Sequence, residues 1–369
     1  AALGIPVPML IRRLQLQSFR RFDSVEIDLR QGFNLLTGDN GSGKTSVLEA
    51  LHLLAHGRSF RGRVRDGLIR QGEPALSAYA EWEVAGATHR AGLRHAGGSW
   101  EARLDGEDVR QLGQLCEALA VITFEPGSHA LVDGSSEGRR RYLDWGLFHV
   151  EHGFMPQWRR YARALKQRNA LLRQPGGHAQ LDAWEHELAQ SGEQLTQLRE
   201  AYVAGLQPRL SRLLPELLPA AGDVELTLHP GWKRQELALA DALLLSRERD
   251  LALGYTSMGP HRADLRISLR ELPGRDGLSR GQTKQLALAL LLGQAGHLAD
   301  LLGYWPVLQL DDLGSELDRH HRRRLLEVLV NSAAQILVTG TEMPPGLAEA
   351  GIEAAMFHVE HGRIRELGQ

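Results

Sequence analysis

Apolar residues along this chain follow two rhythms. Short continuous runs, at Gly32–Thr37 (GFNLLT), Ala120–Gly127 (AVITFEPG), Pro306–Leu310 (PVLQL) and Ala333–Thr341 (AAQILVTGT), read as buried strands. Two of them lead through polar loops into helical runs, SVLEALHLLA after the first and the stretch beyond Leu310 after the third. Between Gln157 and Leu172, Trp158, Tyr161, Leu165 and Leu172 recur instead at helical spacing. Gln174-Pro-Gly-Gly-His178 breaks that helix, and Leu181, Trp184, Leu188, Leu195, Leu198 and Tyr202 resume at three- and four-residue steps. The pattern predicts an α/β core interrupted by a short antiparallel helical arm whose stripes are packing surfaces.

Composition narrows the setting. With 369 residues, 43% hydrophobic and 24% charged, the chain can bury a large core divided among two or three folded units. The one cysteine, Cys116, has no internal partner, which fits a reducing cytoplasm and gives no support to a cysteine-based zinc site. Arg12 and Arg13 break the apolar pattern near the start, so no export signal is read. The longest apolar runs, such as Leu286–Gly293, fall short of the ~20 residues of a membrane helix, so no membrane span is expected. A net charge of −2 conceals clustering of arginines, while lysine occurs only at Lys44, Lys166, Lys233 and Lys284.

The first strand runs into Gly38-Asp39-Asn40-Gly41-Ser42-Gly43-Lys44-Thr45, followed by Ser46 and the helix: GxxxxGKT in a strand–loop–helix setting. Glycines let successive N–H groups point at phosphate oxygens, and the helix N-terminus adds its positive dipole end. Lys44 is expected to reach the β- and γ-phosphates of ATP, and the Thr45 hydroxyl to ligate Mg2+.

The strand ending at Leu310 leads into the paired acids Asp311 and Asp312. The first is expected to hold the metal, the second to orient or deprotonate the attacking water. Before it, Gly277-Leu278-Ser279-Arg280-Gly281-Gln282 opens the helical run TKQLALALLLGQA and resembles the LSGGQ-type signature of ABC ATPases. Alone, this segment reads equally as a turn and N-cap. Ordered after a P-loop and before an acid pair, it points to phosphate binding through Ser279 and the amides around Gly281. The resemblance implies that the signature completes the site of a second chain, and that Ser315-Glu316-Leu317-Asp318 is a D-loop touching the opposite subunit. Two class features are missing. No Q-loop glutamine stands near Glu125, and no histidine follows Ala333–Thr341, where Thr339 or Thr341 takes its place.

The interval between Lys44 and Asp311 exceeds what a simple transporter ATPase subunit needs and is too short for long coiled-coil arms. Across nearly its whole length the chain resembles the RecF family of ABC/SMC-like ATPases. The resemblance rests on IRRLQLQSFRRFDSVEIDL (Ile11–Leu29), GRSFR (Gly57–Arg61), RRRYLDWGLFH (Arg139–His149), LKQRNALLRQ (Leu165–Gln174), MGPHRADL (Met258–Leu265) and the C-terminal FHVEHGRI. It implies an ABC-type P-loop ATPase core, a mixed sheet flanked by helices, with an inserted mainly helical second domain. The expected division is 9–125 for the P-loop lobe, 126–255 for the arm and 256–369 for the rest of the core. It also implies an ATP-dependent homodimer on gapped or single-stranded DNA, slow DNA-stimulated hydrolysis, and work with RecO and RecR in recombinase loading, replication restart and SOS induction.

Between Arg139 and Arg173 basic residues (Arg139, Arg140, Arg141, Arg159, Arg160, Arg163, Lys166, Arg168, Arg173) far outnumber Asp144 and Glu151. Arg159, Arg163 and Lys166 share a helical face suited to a phosphate backbone, and Arg58, Arg61, Arg63, Arg65 and Arg70 form a second cluster after the P-loop helix. A solvated helix surface would have the same composition; the family resemblance favours DNA. Two other readings stay open: a transporter-type subunit, and an ATP-gated scaffold in which Asp312, a methylene shorter than the usual glutamate, hydrolyses poorly. His261, beside a strand, reads as structural or catalytic.

Overall fold

The strands Phe33–Thr37, Ile336–Gly340, Val307–Leu310 and Val121–Phe124 lie parallel and adjacent in that order, and nearly every residue in them is buried. Runs of Val, Leu, Ile and Phe form such strands because both faces of a parallel sheet are covered. Ala354–Glu360 adds a parallel strand on the far side of Phe33–Thr37, and Arg363–Leu367 closes that edge antiparallel, making six strands. The computed structural model describes residues 5–61, 67–176, 180–272, 274, 277–344, 346–349 and 351–368.

A second six-stranded sheet, wholly antiparallel, runs Phe22–Asp28, Leu10–Phe19, Leu76–Val84, Ala87–Ala96, Ser99–Leu104, Glu107–Asp108. Its inward residues, Ile11, Leu14, Phe19, Ala80 and Trp82 among them, join one apolar core with Val47, Leu51 and Leu54 of the helix Lys44–His56 and with Val307 and Phe357 of the parallel sheet. Buried Gln335 fastens the two sheets: its Oε1 accepts the Ile11 N–H at 2.7 Å, and its Nε2 donates to the carbonyls of Ile11 and Arg30.

These sheets make up one compact unit, residues 1–128 with 288–369; the second is His129–Ala287. In the second unit Val224–His229 pairs antiparallel with Asp264–Leu269, which places MGPHRADL in that unit.

In that second unit the helices Phe154–Leu172 and Leu181–Leu217 pack together, and the pairs Arg160–Glu187 and Arg168–Glu185 show them antiparallel. The second helix outruns the expected stripe: it continues past Tyr202, through Pro208 and Pro215, for 37 residues, roughly 55 Å at 1.5 Å per residue. Trp158, expected to pack, is 41% exposed; the inner face uses Phe154, Tyr161, Ala164, Arg168 and Leu171.

The local positive charge of this region shrinks on folding. Arg168, wholly buried, donates to Glu185, Asp250 and Thr256, while Arg139 grips Asp264 at 2.6 and 3.2 Å. Arg199 forks onto Asp144 at 2.8 Å through two nitrogens, and Arg160 onto Glu187.

The helix Arg280–Leu302 has the length and mean hydropathy, 1.3, to cross a membrane, yet 78% of its apolar window is buried within the protein, as for the core helix of a folded domain.

Removing Arg168 leaves two buried carboxylates without their shared partner. Arg168→Ala is expected to lower stability by about 3–5 kcal/mol, read as a fall in the urea midpoint of the full chain.

Candidate functional site

The parallel strands end together, and the groups beyond their C-terminal ends line one open cleft of 1210 Å³. Open α/β sheets bind ligands at this end. The loop after Phe33–Thr37 supplies Asn40, Gly41, Gly43, Lys44, Thr45 and Ser46; the strand Val307–Leu310 delivers Asp311 and Asp312; Ile336–Gly340 delivers Thr339; and Val121–Phe124 delivers Glu125.

Two glycines of the loop are forced. A Cβ on Gly38 (φ 147) would lie 2.2 Å from the Val359 carbonyl oxygen, and one on Gly43 (φ 117) 2.9 Å from the Phe22 ring. Arg21 steadies the loop by donating to the Gly41 carbonyl at 2.6 Å. Lys44 is buried at the start of the helix, its Nζ donating to the carbonyls of Gly38 and Asp39. Burial lowers its pKa, and the charges of Asp312, Asp311 and Asp39 oppose that shift.

Asp311 is the junction of the site. Its Oδ1 accepts the Thr45 hydroxyl at 2.9 Å and the Thr339 hydroxyl at 2.6 Å. Burial raises its pKa, with Asp312 adding to the shift and the two hydroxyls pulling against it. Asp312 sits in the left-handed region (φ 53, ψ 43) and begins the short helix Leu313–Glu316, where its carboxylate accepts the Ser315 hydroxyl. Glu125 lines the cleft at the end of the strand Val121–Phe124, where the expected Q-loop glutamine is missing, with its carboxylate accepting the Gly127 N–H at 2.6 Å.

The RecF/RecN/SMC N terminal domain family matches residues 10–363. Two relatives called DNA replication and repair protein RecF align over 361 residues and 96% of this chain. One, from Xanthomonas euvesicatoria pv. vesicatoria (strain 85-10), is 62% identical and covered over 98% of its length; the other, from Stenotrophomonas maltophilia (strain R551-3), is 60% identical and covered over 99%. The chain belongs to the RecF family. A solved structure of the recombination mediator protein RecF-ATPrS in the RecFOR pathway is 25% identical, with a TM-score of 0.86 over 98% of this chain and 99% of that one. The ABC-type P-loop fold expected from the motifs is therefore the fold of the chain.

Gly38, Asp39, Asn40, Gly41, Ser42, Gly43, Lys44, Thr45, Ser46, Asp311 and Asp312 all belong to the first unit. Ser279, Arg280, Gly281 and Gln282 belong to the second and open the helix Arg280–Leu302. There Ser279 and Gln282 cap reciprocally: the Ser279 hydroxyl accepts the Gln282 N–H at 3.2 Å, and the Gln282 side chain accepts the Ser279 N–H at 2.9 Å. Arg159, Arg163 and Lys166 stand exposed on one face of Phe154–Leu172, with the Arg163 guanidinium 5.8 Å over the Trp184 ring. In the second cluster, Arg58 is exposed, and Arg61 lines the cleft with its guanidinium 3.8 Å from Glu49. Arg63 and Arg65 lie outside the described residues.

His261 is structural. Its Nδ1 accepts the Tyr161 hydroxyl at 2.6 Å, its Nε2 donates to the Thr256 carbonyl at 2.9 Å, and burial holds its pKa down to about 4.

Sequence reasoning missed a polar chain behind the P-loop helix. The His52 and His56 rings stack at 4.0 Å; Gln309 donates to the Thr123 hydroxyl at 2.9 Å, which donates to His52 Nδ1 at 3.0 Å; and His56 Nε2 donates to the Val121 carbonyl at 2.8 Å. Its only sequence signal was two histidines four residues apart on the helix following GKT.

Burial holds the His56 pKa down to about 4 from an ordinary 6.5. The folded state therefore carries a neutral ring where the unfolded state takes up a proton, and stability falls as pH drops from 6.5 toward 4. His56→Gln is expected to remove about one proton from that slope, measured as the pH dependence of the denaturant-unfolding free energy.

Proposed function

We propose that the chain is an ATP-dependent DNA-repair protein, in which ATP closes two copies into a dimer on DNA and slow hydrolysis reopens it. The observation that carries this reading is the 2.9 Å hydrogen bond from Thr45 to Asp311. It ties the P-loop hydroxyl to the first acid in a cleft that also holds Lys44 and Asp312. Arg20, Arg21, Arg61 and Arg70 line the same cleft, so a triphosphate meets cations from several elements.

The donor set suits magnesium, a hard ion usually held by one or two protein oxygens with the rest from phosphates and water. Thr45 and Asp311 supply that pair, and the bound ion would neutralise charge on the β- and γ-phosphates. Lys44 holds the phosphate tail, and Asp312 orients the attacking water. The amides around Gly281, with Ser279, Arg280 and Gln282, form an exposed helix N-terminus able to clasp the γ-phosphate of a nucleotide seated in a second copy. Two nucleotides bridging two chains link dimerisation to ATP by mass action.

DNA enters through the family. The 60–62% identical relatives are called DNA replication and repair proteins, and the solved RecF is described as a recombination mediator in the RecFOR pathway. On that basis the chain works in the cytoplasm with RecO and RecR, loading recombinase at gaps and supporting replication restart and SOS induction. The exposed row Arg159, Arg163 and Lys166 is the proposed backbone contact, with Arg58 and the cleft-lining Arg61 as a second basic group. Such contacts carry no base information, so recognition follows DNA structure.

Sedimentation of the full chain tests the dimer. The Asp312→Asn chain, in which hydrolysis is blocked, is expected to shift from monomer to dimer with Mg-ATP, and the same chain carrying Ser279→Arg to stay monomeric; a strictly monomeric Asp312→Asn chain at saturating nucleotide sinks the reading. For DNA, replacing Arg159, Arg163 and Lys166 together with alanine should reduce the slope of log affinity against log salt by about 2–3, measured by fluorescence anisotropy on gapped DNA.

A further inference from the structure

We propose that Thr339 is a positioning residue for hydrolysis, setting both carboxylates of the acid pair through one hydroxyl instead of sensing the γ-phosphate itself. The proposal rests on the ATP-hydrolysing reading above and names the group that aims its acids.

Thr339 is 1% exposed on the strand Ile336–Gly340, between the P-loop strand and the acid strand. Leu310 pairs with Val338, so Thr339 stands level with Asp311, the first residue past the acid strand, and on its other side it pairs with Leu36 of the P-loop strand. A β-branched side chain has few χ1 choices, so the strand fixes where that oxygen lies.

The hydroxyl has one proton and two lone pairs, and both kinds of bond are made. It donates to Asp311 Oδ1 at 2.6 Å and accepts the Asp312 N–H at 2.8 Å. Its only donor is thus committed to a carboxylate, which separates it from a residue that would donate to the nucleotide. Thr341, the other candidate for the missing histidine's place, is exposed and does not line the cleft.

The second bond bears on the water-directing acid. Asp312 holds a left-handed conformation (φ 53, ψ 43) that costs an ordinary residue strain, and strain persists only where surrounding contacts impose it. Thr339 supplies the contact on the N–H side of Asp312; the N–H groups of Ser315 and Glu316 bond its carbonyl at 3.1 and 3.2 Å on the other. Without the hydroxyl the peptide between the two acids loses its anchor, and Asp312 can relax toward the right-handed region, turning its carboxylate away from the line of attack. Asp311 keeps the Thr45 hydroxyl, so its own placement suffers less.

The experiment compares full-length wild type, Thr339→Val and Thr339→Ser, reading steady-state ATP hydrolysis together with equilibrium binding of a fluorescent ATP analogue. Valine keeps the shape and removes the hydroxyl. It is expected to lower kcat by about 10- to 100-fold, while KM and the analogue Kd change by less than about threefold. Serine restores the hydroxyl and should bring kcat back to within about threefold of wild type. The proposal is overturned if valine keeps wild-type kcat, if serine loses as much as valine, or if Kd weakens in step with kcat, which marks a binding or folding role. Should the valine chain not fold, serine decides alone: a folded, ATP-binding serine chain with lost kcat overturns the proposal, and one with kcat retained supports it. The parent reading fails separately, when wild type itself neither binds nor hydrolyses ATP, and the Thr339 proposal then falls with it.

Discussion

One carboxylate oxygen, Asp311 Oδ1, takes hydroxyl protons from two directions: Thr45 at the start of the P-loop helix and Thr339 on the neighbouring strand. The parallel strands behind it are buried on both faces, so the open cleft begins only where they stop. A carboxylate held there loses most of its water, and burial alone would push it toward its neutral form. The two hydroxyls counter that pressure, as the acids counter the desolvation of Lys44. Charge of both signs is thus kept in a half-dry cleft by groups that three strand ends bring together.

The arm unit manages charge differently. Its arginines look like a cationic surface when counted along the chain, yet Arg139, Arg168 and Arg199 are buried against Asp264, Glu185, Asp250 and Asp144, partners up to 125 residues away. Planar guanidinium groups match carboxylates through two parallel bonds, which suits buried pairs better than lysine does. The stretches RRRYLDWGLFH and MGPHRADL, separate in sequence, are thereby two halves of one set of clasps.

The nucleotide loop was legible because its chemistry demands neighbours in sequence: GDNGSGKT fixes strand, loop and helix at once, and DD at a strand's end fixes the second half. Features set by distant partners were not legible. Nothing in MGPHRADL announces that its strand pairs with Val224–His229. Trp158 satisfies the helical period but is 41% exposed, while Arg168, polar by type, takes an inner position where Glu185 and Asp250 neutralise it. Gln335, His52 and Thr123 are ordinary letters until folding places their partners beside them.

The left-handed turn at Asp312 bears on why this site carries the shorter acid. Aspartate and asparagine tolerate that region far better than most residues, because a short polar side chain can bond to the backbone nearby. Here the Asp312 carboxylate accepts the side-chain hydroxyl of Ser315, one helical turn on, so the short acid stays beside its own turn. The methylene missing relative to glutamate is therefore tied to main-chain shape, and not to reach alone. A longer acid placed at this centre would meet the same left-handed turn, in which glutamate is less at home than aspartate.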